Sequence, residues 1–130
     1  MLRYLSLDWL DALGAEVAAS DRVREAAAGR SIAVTQVVTG GPEGDVMYHL
    51  NVDDGDASFG PGPAPGEQVR MVQDWETAVA VATGAVNAQE AFVRGRIRVM
   101  GDAQRLIEAG PLFAALDSVF ATVRERTEYA

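Results

Sequence analysis

The chain has no cysteine, no lysine and a single histidine, His49. Without cysteine, disulfides and thiolate chemistry are both excluded. Without lysine there is no Schiff-base enzyme and no P-loop lysine, and all eleven basic residues are arginine. One histidine cannot build a triad, a histidine pair or a histidine-rich zinc site. No metal and no cofactor is expected. No apolar run approaches the roughly twenty residues of a membrane span. The opening MLRYLSLDWLDALG acquires Asp8 and Asp11 too early for a signal peptide. With no export signal and no cysteine, the chain reads as cytoplasmic.

What is present is an acidic, ordinary globular composition. A net charge of −8 argues against nucleic acid as a partner, because phosphate binding needs a positive face. At 130 residues and 48% apolar content, residues 1–130 read as a single domain able to bury about two thirds of its unfolded surface. Ser6 caps a first helix to about Ala19, with Leu7, Leu10, Leu13 and Val17 as its stripe. Ser20 or Asp21 opens a short second helix ending at Gly29. Ile32, Val34 and Val38 mark a strand. Val46, Tyr48, Leu50 and Val52 mark the next, and Asp54-Gly55 turns the chain back through Ala57 to Phe59. GPGPAPG, from Gly60 to Gly66, is a stiff loop. Val69 to Val72 is a fourth strand, and Asp74 caps a helix carrying Trp75 and Val79. Clustered strands without alternating helices favour an α+β fold: a single curved, mainly antiparallel five-stranded sheet with helices packed on one face.

The densest local information lies in GAVNAQEAFVRGRIRVMGD, from Gly84 to Asp102. Gly84 ends one helix, and Asn87 caps the next with Glu90 as its capping-box partner. Gly95 stops that helix. Arg96-Ile97-Arg98-Val99 alternates as a strand with one buried face, and Asp102 caps a following helix near Ala103 to Ala109. This arrangement delivers Phe92, Ile97 and Val99 to a shared apolar interior. Gly110-Pro111 then opens a final helix with Leu112, Phe113, Leu116 and Phe120 on a broad apolar face.

This stretch resembles the signature of the sterol-carrier-protein-2 family in its stand-alone bacterial form. Gly84, Asn87, Gln89, Ala91, Phe92, Gly95, Arg96, Ile97, Val99, Gly101 and Asp102 stand at matching places. The upstream VTGGPEGDVMYHLNVDDG looks like that family's first hairpin. The resemblance implies the same α+β fold. It also implies a non-enzymatic carrier that holds a fatty-acyl, sterol or isoprenoid-like ligand in an internal apolar tunnel between sheet and helices, with the last helix as a lid. Ligands of that kind include fatty acids, acyl-CoA and sterol-like molecules. Transient membrane contact and a homodimer are compatible with it.

Several site-like patterns fail on chemistry. Asn51, Asp53, Asp54 and Asp56 sit as in a calcium loop, but the glycine falls fifth and position twelve is Gly62. Gly60, Gly62 and Gly66 are interleaved with prolines that remove the N–H donors a phosphate cradle needs. No pair of carboxylates and no nucleophile–base pair is spaced for catalysis. From pattern alone Trp75, Val79, Phe92, Ile97, Val99, Leu112, Phe113, Leu116 and Phe120 make a solid core; the resemblance turns part of the set into tunnel lining. Arg94, Arg96 and Arg98 read as a solvated strand face, or as a head-group contact if a lipid binds. The rival to a carrier is a filled, non-catalytic scaffold, either a homodimer or an accessory subunit of a lipid-metabolising enzyme. Leu2, Tyr4, Leu5 and Trp9 would then be exposed as its interface.

Overall fold

The structure is a computed structural model that describes residues 2–42, 44–86 and 88–129. Glu43 of the expected glycine-rich turn and Asn87, the expected cap, lie outside the described residues. In chain order the elements are β1 (Leu2–Arg3), α1 (Leu7–Ala19), α2 (Asp21–Ala27), β2 (Ser31–Gly41), β3 (Gly44–Asp53), β4 (Asp56–Pro61), β5 (Val69–Asp74) and α3 (Trp75–Ala82). There follow α4 (Ala88–Val93), β6 (Arg98–Gly101), α5 (Ala103–Glu108), α6 (Gly110–Arg124) and β7 (Thr127–Glu128).

The expected caps form. Ser6 accepts the Trp9 N–H at 3.1 Å and Ser20 accepts that of Val23 at 3.2 Å, each closing a first helical turn whose amides have no carbonyl partner. Asp54 and Gly55 have φ of 41° and 93°, the paired left-handed conformation of a tight two-residue hairpin turn. The five-stranded sheet runs β4-β3-β2-β5-β6, antiparallel except for the parallel β2–β5 pair. β1 and β7 add a separate two-stranded parallel ribbon.

A parallel neighbour for β2 requires the chain to cross from edge strand β4 to the far side of β2, and the proline-rich loop makes that crossing. Its Gly62 N–H bonds Met47 O at 2.9 Å, and its Ala64 N–H bonds the Thr35 hydroxyl at 3.0 Å. Gln68 clamps both backbone groups of Ala33. Thr35 is therefore sealed on the face away from the helices, and His49 lies beneath the same strap, 3.1 Å from Gly62 O. Helices occupy the opposite face, where Ile32, Val34, Val38, Leu50 and Val52 join the main core with Leu13, Leu112 and Leu116.

Four sequence expectations are corrected. Leu7 is 64% exposed and Trp9 takes its place on the stripe with Leu10, Leu13 and Val17. Leu7 is the first helical residue, and its side chain leans back off the helix end. Strand β6 begins at Arg98 instead of Arg96. The N–H groups of Arg96 and Ile97 both turn back to Ala91 O, closing the end of α4 and leaving nothing for a ladder. Phe92 is 47% exposed, and its neighbour Ala91 is the buried residue of α4. Finally, Tyr4, Leu5 and Trp9 are buried and Leu2 is partly buried, so they form no exposed interface. β1 is held by β7, and the Tyr4 ring packs edge-on against Trp9 at 5.0 Å and beside Trp75 at 5.3 Å.

Candidate ligand-binding face

Strand register decides which side chains share the helix-facing surface. Gln36 lies opposite Tyr48 on β3 and Met71 on β5, and Met71 lies opposite Val99 on β6. One row across the sheet is therefore Tyr48–Gln36–Met71–Val99. The adjacent rows are Leu50–Val34–Val69 and Val46–Val38–Gln73. Alternation along each strand puts all three rows on one face.

Burial across this face is uneven. Val34, Val38 and Val69 are fully sealed, yet Gln36, Met71, Gln73 and Val99 are only partly buried. The helices close over the middle of the sheet and leave the β5–β6 corner incompletely covered. On the helix side Val79 of α3, Leu106 of α5, and Phe113 and Phe120 of α6 are likewise partly buried against the core.

The same corner carries polar groups. The Gln36 amide nitrogen donates to Met71 Sδ at 3.5 Å, and that of Gln73 donates to the Gln36 oxygen at 3.5 Å. The amide–amide bond is long, and a thioether is a weak acceptor, so both bonds are weak. Gln73 Oε1 is buried with no hydrogen-bond partner among the described residues. Trp9 Nε1 is in the same condition, but its ring is sealed between Tyr4 and Tyr48. Burial pushes the Tyr48 phenol well above its ordinary pKa, so it stays neutral.

The expected lining residues divide three ways. Trp75, Val79, Val99, Phe113 and Phe120 are partly buried against the core, while Leu112 and Leu116 are sealed within it. Ile97 is buried where the backbone returns from α4, and Phe92 points largely to solvent. The three arginines do not converge. Arg94 pairs with Glu90 at 2.8 Å, Arg96 adds a minor pull on the Asp74 carboxyl that Thr77 chiefly holds low, and Arg98 lies opposite Val72 on the strap-side face. Met71, Gln36 and Gln73 were not among the sequence candidates. The available signal was a polar residue at 36 interrupting the apolar series of Val34 and Val38.

Two concavities lie away from this corner. One of about 50 Å³ adjoins Tyr4, Gly41 and Trp75, and one of about 240 Å³ lies between Glu16 and Ala19 of α1 and Ser118 and Thr122 of α6.

Compared with solved structures, the chain superposes on a crystal structure of sterol carrier protein 2 with a TM-score of 0.75 and 20% identity, over 90% of this chain and 96% of that one. This is the sterol-carrier-protein-2 fold. A conserved hypothetical protein from Thermus thermophilus, described as possibly a sterol carrier protein, gives a TM-score of 0.77 at 20% identity, over 95% of this chain and 91% of that one. The sterol-carrier-protein-2 fold also matches within a larger enzyme, the sec-alkylsulfatase Pisa1 from Pseudomonas sp. There the TM-score is 0.51 at 18% identity, over 66% of this chain and 13% of the enzyme. No family model and no curated protein sequence matches the chain.

Proposed function

We propose that this protein is a cytoplasmic, non-catalytic lipid carrier. It takes a fatty-acyl, sterol or isoprenoid-like ligand into an internal apolar tunnel between the sheet and the helices. The observation that carries this reading is the partly open corner around Met71 and Val99, on a sheet face where Ile32, Val34, Val38, Leu50 and Val69 are sealed. The sterol carrier proteins that share the fold support it over nearly the full chain. The alkylsulfatase match covers too little of that enzyme to bring its reaction here.

The mechanism is partition. Each buried methylene gains about 0.8 kcal/mol, so roughly fourteen carbons gain on the order of 10 kcal/mol before entropy losses. That suffices for micromolar binding, with little discrimination between chains differing by one methylene. Entry requires α6 to move, since Leu112 and Leu116 anchor that helix in the core while Phe113 between them is only partly buried. Native mass spectrometry of protein purified without denaturation should show a co-purified lipid mass. A preparation free of lipid that also fails to take up a fluorescent fatty acid would refute the carrier.

The second reading, a scaffold working through protein contacts, has its own observation. Phe92, Val93, Met100 and Ile107 are large apolar residues left exposed along α4, β6 and α5. A homodimer or an enzyme partner would cover them, and light scattering at micromolar concentration tests the first of these.

A further inference from the structure

Resting on the carrier reading, we propose that Gln73 is the specificity-determining residue of the site. Its unpartnered carbonyl oxygen selects a long-chain amphipath whose polar end is a neutral hydroxyl. Met71 Sδ fixes the orientation of the amides. Sulfur in a thioether has no proton to give, so Gln36 must turn its NH₂ toward Met71 and its oxygen toward Gln73. Gln73 then spends an N–H on Gln36 and leaves Oε1 without a donor. A buried acceptor left unmet is costly, and an incoming donor recovers that cost.

The occupant is constrained further by charge. The arginines nearest in sequence, Arg70 and Arg98, alternate with Met71 and Val99 and so occupy the strap-side face of the sheet. Arg70 is moreover held by Glu67 at 3.0 Å. A carboxylate placed at Gln73 Oε1 would set one acceptor against another, next to the Asp74 carboxylate, which already draws on Arg96. A hydroxyl donates to Oε1 and keeps the site neutral. The second orphan, Trp9 Nε1, belongs to a buried residue enclosed by Tyr4 and Tyr48, whereas the Gln73 side chain is only partly buried.

The test uses the full chain and displacement of Nile red by three probes of one length: hexadecan-1-ol, hexadecyl methyl ether and hexadecanoate. The alcohol should bind roughly tenfold more tightly than the ether, which accepts but cannot donate; tenfold corresponds to about 1.4 kcal/mol. Hexadecanoate should bind more weakly than the alcohol. Gln73→Met should bring the alcohol to the affinity of the ether and leave the ether unchanged, with Gln73→Leu serving if the methionine variant fails to fold. Equal binding of alcohol and ether by the native chain overturns the proposal, as happens if a water already satisfies Oε1. A preference that survives both substitutions overturns it as well. If neither Nile red nor any sixteen-carbon probe binds, the carrier reading itself falls and takes this inference with it.

Discussion

Replacing Val99 with tryptophan tests where an acyl chain lies. Val99 sits beside Met71 on the helix-facing side of edge strand β6 and is only partly buried, so an indole there extends into the open corner instead of a packed core. If a ligand chain occupies that corner, the ring displaces three or four of its methylenes. At about 0.8 kcal/mol each, the loss is roughly 3 kcal/mol, or about a hundredfold in Kd. Met100 provides the control. It is the next residue of the same strand, opposite Arg70, and 49% exposed on the other face. Met100→Trp should leave Kd within about twofold, since no buried contact changes. Titration with a fluorescent fatty acid reads the affinities, and thermal melts confirm that both variants fold. Near-native binding by a folded Val99→Trp protein, or equal damage from Met100→Trp, would refute the placement of the chain at this corner.

Leu116→Ala opens a cavity in a sealed position and should lower stability by about 2–5 kcal/mol, read as a shift of the urea midpoint. Gly101→Ala should destabilise and weaken the β5–β6 pairing, because φ is 95° and a Cβ there would overlap the Gln68 carbonyl oxygen. Gly14→Ala, helical and with nothing near the added carbon, should instead stabilise by up to about 1 kcal/mol in the same assay. Thr77, through its hydroxyl and its amide N–H, holds the Asp74 carboxyl below its ordinary range. A folded-state pKa that is depressed contributes stability above the unfolded value near 4, and the contribution is lost as pH falls through the folded value. Asp74→Asn keeps a capping oxygen without the charge, so its melting temperature should fall less steeply than the native protein's below about pH 4. An unchanged acid slope would remove this cap as a source of pH dependence.

Much of the architecture was legible because local chemistry and global fold agree. Ser6, Ser20, Asp74 and Asp102 all cap the helices they precede, and the strand register follows the alternation of Val34, Leu50 and Val69. The errors arise where a short segment serves two masters. Arg96 and Ile97 alternate like a strand, but their amides are already committed to Ala91, which no periodicity reveals. Phe92 fits an apolar motif, yet a six-residue helix buries only a narrow stripe, and Ala91 occupies it. β1 and β7 are two residues each, too short to carry any pattern. The site was less legible than the fold. Sealed and partly open apolar positions are chemically alike in sequence, so Leu112 and Leu116 of α6 were indistinguishable from Phe113 and Phe120.

Gln36 and Gln73 bear on what this face is for. If the helix side of the sheet were only a core, apolar side chains at both positions would pack better and remove an unmet acceptor, as Val34 and Val38 do in the neighbouring rows. The outer face shows how the same protein treats polar groups whose role is purely structural. Thr35 is buried and its hydroxyl is met by the Ala64 amide, while the Gln68 side chain is bound to Ala33. The amide pair is satisfied only through two bonds of 3.5 Å and leaves one oxygen bare. Places where local rules are broken in a mostly consistent chain mark a functional constraint more often than a packing error. Here they coincide with the part of the sheet the helices leave uncovered, which is where a guest with an apolar tail and one proton to donate would complete the structure.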